Sequence, residues 1–365
     1  MTLLASTHGY WNLQTLWFFL IVVLWIGYFV LEGFDFGVGS LLPVVGRDTA
    51  ERGTLIRTIG PVWDGNEVWL LVAGGATFAA FPGWYASLFS GFYLALFLIL
   101  VALIVRGVAI EYRNKRPDET WRARWDWILT VASALPALLW GVGLSDFVGG
   151  VPTDAHGQIT ANLLDLLHPY ALFGGVTTLA LFAFHGALFL SLRTTGELEQ
   201  RAKATAARLG VPSAALVLGY LAWTYANARS NGKGLVPGLI PVVAICLPFA
   251  AVALLRAAKT GWAFAATAGS IALIVLTLFL NLYPRVVVSG TNKAWSPTIW
   301  TTSSSHYTLT VMTVVALVFT PLVLAYQAWT YWVFRARLGD ENAPRTPGEL
   351  LERSPLGTGA PQPGS

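Results

Sequence analysis

The chain has 365 residues, 55% of them hydrophobic and only 12% charged, and it carries 16 tryptophans. That balance excludes an ordinary soluble domain, about a quarter of whose residues are charged, and a net charge of +4 held in short loops excludes a nucleic-acid partner. One cysteine, Cys246, excludes a disulfide framework or a thiolate metal site built from this chain alone.

A bilayer core needs about 20 apolar residues per helix. In chain order, such runs fall near 14 to 42, 58 to 81, 84 to 110, 124 to 148 and 168 to 192, then near 204 to 226, 236 to 256, 262 to 283 and 308 to 334. The reading is an all-α polytopic membrane protein with nine transmembrane helices occupying residues 1–339. The first run has no basic leader and contains carboxylates, so it reads as a retained span rather than a cleaved signal. Segments 149–166 and 284–307 are the sizeable non-helical stretches of the folded part. Residues 340–365, with Pro344, Pro347, Pro355, Pro361 and Pro363 and no apolar periodicity, read as a disordered tail. Arginines and lysines crowd the loops around Arg47 to Arg57, Arg113 to Arg124, Arg193 to Arg208 and the C-terminal segment, whereas the opposite side holds Arg229, Lys233, Arg285 and Lys293. The positive-inside rule then places the C-terminus in the cytoplasm and the N-terminus outside.

Charges inside these runs carry the strongest functional signal. Glu32 and Asp35 stand three residues apart in the first span, and Asp64 and Glu67 repeat that spacing in the second. Residues so spaced share a helix face. Each carboxylate at a bilayer centre costs about 2.5 to 3.5 kcal/mol, so it needs a partner, water or a proton. Two readings stand for each. Glu32 and Glu67 either serve proton movement or meet headgroups near the surface. Asp35, amid Gly33, Gly37 and Gly39, either moves protons or sits at a broken or closely packed stretch of the first helix. Asp64, between Trp63 and Trp69 and next to Gly65 and Asn66, makes a polar spot in an apolar helix and reads as a proton relay or water-binding group. Arg106 is the counter-charge in the third span, held bidentately by carboxylates or else snorkelling to the headgroups.

A membrane haem needs at least one well-placed axial ligand. Of the histidines, His8, His156, His168 and His306 lie in or beside external segments, and His185 alone falls well inside a span. A lone buried histidine is more often a hydrogen-bonded packing residue, and the HxxxH or CxxC spacings of a metal cluster are absent.

Several stretches together carry a resemblance. GFDFGVG from Gly33, GPVWDGNEVWLLVAGGATFAAFP from Gly60, WYASLFSGFY from Trp84 and RGVAIEYR from Arg106 resemble subunit II of cytochrome bd-type quinol oxidases, and RWDW at Arg124, RTTGEL at Arg193 and SSSHYTLTVM at Ser303 agree. The resemblance is dense over the first 200 residues and thinner between 210 and 300.

It implies two four-helix bundles plus a peripheral helix, pseudo-symmetric with a larger partner, the haem-bearing subunit I. That partner would carry haem b and haem d and oxidise quinol, while this chain binds no haem. Small single-helix accessory subunits, and a lipid or quinone held structurally, occur in some members. Asp64 matches the aspartate assigned to a channel that leads cytoplasmic protons to the oxygen-reducing haem, with Glu67, Arg106, Asp35 and Glu32 as its neighbours. Trp69 matches a residue near a lateral oxygen route. The chain departs from the family in carrying Glu32 where aspartate is frequent, which keeps a carboxylate. The implied activity is quinol oxidation outside, oxygen reduction to water with protons drawn from the cytoplasm, and charge separation without pumping, in a bacterial cytoplasmic membrane. Two rivals share these signals: a proton-coupled secondary transporter, whose glycine-broken first helix would have a counterpart in the second half, and a scaffolding subunit without a proton role.

Overall fold

The computed structural model describes residues 12–230 and 238–339. His8, Lys233 and the tail expected to be disordered from 340 onward lie outside the described residues.

Helix α1 (Leu13–Ser40) opens where the Asn12 side chain accepts the Thr15 N–H at 2.9 Å. It runs unbroken through Gly33, Gly37 and Gly39, so the expectation of a broken first helix is corrected. The glycines serve close approach instead. A Cβ on Gly37 would lie 2.0 Å from the Phe182 carbonyl oxygen and 2.9 Å from the Gly186 Cα, so two backbones touch there.

Two short helices follow, α2 (Leu42–Val45) and α3 (Thr49–Ile59), before Gly60 and Pro61 turn the chain into α4 (Trp63–Ala80). The second expected span therefore begins at Trp63, and Asp64 sits in its first turn rather than within it. The third expected span is two helices, α5 (Pro82–Gly91) and α6 (Tyr93–Tyr112). At their junction a Cβ on Gly91 would lie 2.3 Å from the Ile159 Cβ, so the break leaves room for a residue of the 149–166 loop.

The remaining helices are α7 (Glu119–Gly149), α8 (Pro169–Arg193), α9 (Gly196–Ser230), α10 (Ile240–Arg256), α11 (Thr260–Leu282), the one-turn α12 (Ile299–Thr302) and α13 (His306–Val333). Among the described residues seven helices are long and apolar enough to cross a membrane: α1, α6, α7, α8, α9, α11 and α13. The other two expected spans are α4, whose opening WDGNE lowers its hydropathy, and α10, which has only 17 residues.

Helices α8 to α11 pack as one group of four, and α1, α4, α6 and α7 form another through α1–α4, α1–α7 and α6–α7 contacts. The groups join where α7 and α1 meet α8. Helix α13 lies against α1 and α4, with only 6% of its apolar window buried inside the chain.

The two ends of the bundle differ. At the basic end, Arg113 donates to Asp126 of α7 at 2.5 Å and to the Thr49 carbonyl of α3 at 2.5 Å, and Arg201 of α9 pairs with Glu51 at 2.5 Å. After α13 the chain returns to the α8–α9 elbow, where Leu338 N–H donates to the Arg193 carbonyl at 2.8 Å and Arg337 pairs with Glu199 at 2.8 Å. At the opposite end the two long loops clasp each other where Val151 pairs with Ser289, and the second loop closes on itself where Arg285 pairs with Thr298.

Candidate functional site

The site forms where α1, α4, α6 and α13 converge. Glu32 and Asp35 of α1 are both fully buried, which overturns the headgroup reading for Glu32. Arg106 of α6 is also fully buried and donates through Nη1 to Glu32 Oε1, so it is an ion-pair partner and not a snorkelling side chain. Its guanidinium lies 4.9 Å from the Phe36 ring centroid and 6.0 Å from that of Trp63, a geometry in which aromatic faces add cation–π attraction. The pairing is incomplete. Glu32 Oε2, Asp35 Oδ1 and the Nε and Nη2 of Arg106 are buried without a hydrogen-bond partner. A buried polar atom left so calls for water, an ion or a mobile proton.

Asp35 is held by a residue that charge-based reasoning passes over. Asn66 of α4, fully buried, donates its Nδ2–H to Asp35 Oδ2 at 2.7 Å. Its Oδ1 accepts from Tyr331 Oη at 2.7 Å and from Gln327 Nε2 at 3.1 Å, both on α13. One amide thus ties three helices together. The sequence signal for Tyr331 and Gln327 is a polar pair four residues apart, one helix face, in an otherwise apolar last span.

The second carboxylate pair is placed differently. Asp64 lies exposed on the surface of this chain and Glu67, one turn on, is half-buried. Neither has a hydrogen bond or ion pair among the described residues. Glu67 nonetheless lies within electrostatic range of Arg106, Glu32 and Asp64. The carboxylates therefore run from the chain surface at the first turn of α4 to a closed interior on α1, with an arginine and an amide beside them. Such an array can hold and pass protons, because each carboxylate has at least one oxygen without a donor.

Beside this site an apolar cleft of about 480 Å³ opens between α4, α5, α6 and α7. Gly74, Gly75 and Gly143 line it, and a Cβ on any of them would meet nothing within 4 Å. Trp69 turns away from the cleft onto Gly27 of α1, where a Cβ would lie 2.3 Å from its ring, while the adjacent Leu70 and Leu71 line the cleft.

Among the described residues the histidines stand apart from one another, each with its own surroundings. His185 is buried, stacks on Phe264 with centroids 4.3 Å apart, and spends Nδ1 on Thr267 at 2.7 Å and Nε2 on the Val30 carbonyl at 3.3 Å. His168 caps α8 and places Nε2 2.9 Å from Asp146 of α7. His156 and His306 are exposed. Among the described residues no group of three or more His, Cys, Asp or Glu side chains could hold a metal ion. With both ring nitrogens of His185 engaged, that side chain has none left for an axial bond to a haem iron.

Three comparisons bear on what this arrangement belongs to. A relative from Bacillus subtilis (strain 168) described as "Cytochrome bd ubiquinol oxidase subunit 2" is 41% identical over 329 residues, spanning 90% of this chain and 97% of its own length. Another from Escherichia coli (strain K12), "Cytochrome bd-I ubiquinol oxidase subunit 2", is 37% identical over 367 residues, 91% of this chain and 97% of its own. In fold, the chain is similar to a chain of the bd oxidase from Geobacillus thermodenitrificans, with a TM-score of 0.71 at 17% identity, covering 88% of this chain and 98% of that one. The sequence profile of the family described as "Cytochrome bd terminal oxidase subunit II" matches residues 13–334. The transporter reading, which leaned on a broken first helix, gives way to this match together with the continuous α1. With 322 residues matching the family pattern, relatives of 41% and 37% identity over nine-tenths of the chain, and a fold in agreement, the chain belongs to the cytochrome bd terminal oxidase subunit II family.

Proposed function

We propose that this chain is the haem-free subunit of a quinol:O2 oxidoreductase of the cytochrome bd type, embedded in a bacterial cytoplasmic membrane, and that it supplies a proton path to the partner's oxygen-reducing haem. The chemistry balances outside this chain: the haem-bearing subunit I oxidises quinol on the external side and passes electrons to O2, and the protons consumed in making water come from the cytoplasm. No pumping is required. Charge separates because protons are released on one side and taken up on the other.

The observation that carries the reading is the buried cluster of Glu32, Asp35 and Arg106 with unpartnered oxygens and nitrogens, next to a surface carboxylate, Asp64. Ionisable groups in a membrane interior are expensive and mark ion pathways. Asp64 is the entry group, Glu67 the next, and Glu32 and Asp35 the interior acceptors, with Arg106 holding their charge in place. The basic end, which bears Arg47, Arg52, Arg57 and Arg113, faces the cytoplasm by the positive-inside rule, so Asp64 opens there and the N-terminus lies outside.

A carboxylate on a lipid-facing surface would be costly, and α13 beside it is almost bare. Subunit I therefore covers α13 and the Asp64 face of α4. The apolar cleft, within the usual 300 to 1,000 Å³ of small-molecule sites at about 480 Å³, suits the hydrocarbon chain of a lipid or quinone. Trp69 packs on Gly27 while its neighbours Leu70 and Leu71 line the cleft, so an oxygen route through the cleft runs along those leucines rather than along the indole.

Purification through a tag on this chain in mild detergent tests the assignment. The expected result is a coloured heterodimer with b- and d-type absorbance that consumes oxygen with quinol. A colourless, solitary protein would refute it.

A further inference from the structure

Asp35, like Glu32, has one oxygen held and one without a partner, but its donor is a neutral amide on another helix rather than a cation. Asn66 Nδ2 reaches Oδ2 at 2.7 Å, while Oδ1 is buried without a partner. The orientation of the Asn66 amide follows from its other end. Its Oδ1 faces the Tyr331 hydroxyl at 2.7 Å and the Gln327 amide nitrogen at 3.1 Å, two groups that donate. With two donors converging on Oδ1, the N–H side must point to Asp35. A hydroxyl and an amide on α13 thereby fix which face of Asn66 a carboxylate on α1 meets.

We infer that Asn66, locked by Tyr331 and Gln327, is a positioning residue for proton transfer: it occupies Oδ2 of Asp35 as a donor and so directs the incoming proton to Oδ1. Asn66 carries no proton itself. In the ionised state its N–H stabilises the carboxylate. When Oδ1 takes a proton, Oδ2 becomes the carbonyl oxygen and keeps the same donor, so neither Asn66 nor α13 has to move between the two states. Proton transfer then proceeds without reorganising the hub, which keeps the barrier low. The hub also gives α13 a polar tie to the path near its basic end, while Trp17 Nε1 holds its other end by donating to Thr313 at 3.0 Å. This inference rests on the proton-path reading above.

The test uses the purified complex with its haem-bearing partner, and compares turnover with infrared difference spectra recorded on changing pH. Asp35→Asn identifies the carbonyl band of protonated Asp35 by its loss. In Asn66→Leu that band moves to higher wavenumber because the carbonyl at Oδ2 loses its donor, and in Tyr331→Phe it moves the same way by less, because Asn66 is then held by Gln327 alone and its N–H is less firmly aimed. Turnover falls about tenfold in Asn66→Leu, as expected for losing a hydrogen bond to a charged group, and less in Tyr331→Phe, where Gln327 remains. Should Asn66→Leu fail to assemble, Tyr331→Phe, at the outer edge of the hub, decides the matter. A band abolished by Asp35→Asn yet unmoved by Tyr331→Phe overturns the positioning role and leaves the proton path standing. Full turnover and no lost band in Asp35→Asn would sink both.

Discussion

Arg113 and Arg106 stand two turns apart along the chain, each buried and each paired with a carboxylate from another helix, yet they are finished differently. Arg113 spends every nitrogen: Nε on Asp126 Oδ1 at 2.5 Å, Nη2 on Asp126 Oδ2 at 3.3 Å and the Thr49 carbonyl at 2.5 Å, and Nη1 on Asn114 at 3.3 Å. Arg52 adds a second cation 3.7 Å from Asp126. Arg106 reaches Glu32 with Nη1 and leaves Nε and Nη2 without acceptors. A saturated buried pair fastens α3, α6 and α7 at the basic end and has no capacity left over. An unsaturated one in an apolar interior keeps desolvated groups in reserve, which makes sense where protons or water must pass.

The largest effect should come from breaking the saturated pair. Arg113→Ala leaves Asp126 buried without its main partner, and loss of about 3 to 5 kcal/mol is expected, read as a collapse of assembled protein in membranes and a lowered melting temperature in detergent. A normal melt would show that the pair does not fasten the basic end. Glu32→Gln should act less on stability and more on turnover. The neutral amide still accepts from Arg106, so the stability loss stays near 1 to 3 kcal/mol while oxygen consumption drops severalfold. Equal losses of stability in the two variants would erase the distinction. The smallest effect belongs to Asn114→Ala. That side chain is exposed and its bond to Arg113 is long, so the melt should change by no more than about 0.5 kcal/mol. A larger change would mean that the saturation of Arg113 depends on its rim.

Much of this site was legible before any coordinates, and the reason is cost. Glu32, Asp35 and Arg106 are charges in apolar runs; the structure pairs Arg106 with Glu32 and holds Asp35 on the amide of Asn66. What stayed hidden was neutral. Asn66 stands in the sequence between two carboxylates that draw attention away from it, and Tyr331 lies 265 positions along the chain, so no local pattern could bring them together. The start of the second span turns on a local feature: Gly60 and Pro61 punctuate the chain, so the helix begins at Trp63 rather than near 58 and Asp64 falls in its first turn. The glycines of α1 show how one signal supports two structures. Gly33, Gly37 and Gly39 permit a break or a close crossing, and the partner that decides, Gly186 on α8, is far away in sequence. The parting of α5 from α6 at Phe92 likewise depends on Ile159 of a distant loop.

We propose that hydrogen ions enter through Asp64 on their way to a reaction centre held by the neighbouring subunit. Asp64→Asn in the purified complex tests this, with oxygen consumption and the haem absorbance measured on the same sample. Turnover should fall by about a hundredfold, the lower range for loss of a proton-transferring group, while the absorbance stays that of the unaltered complex. Undiminished oxygen consumption by a fully assembled, fully pigmented variant would contradict the account.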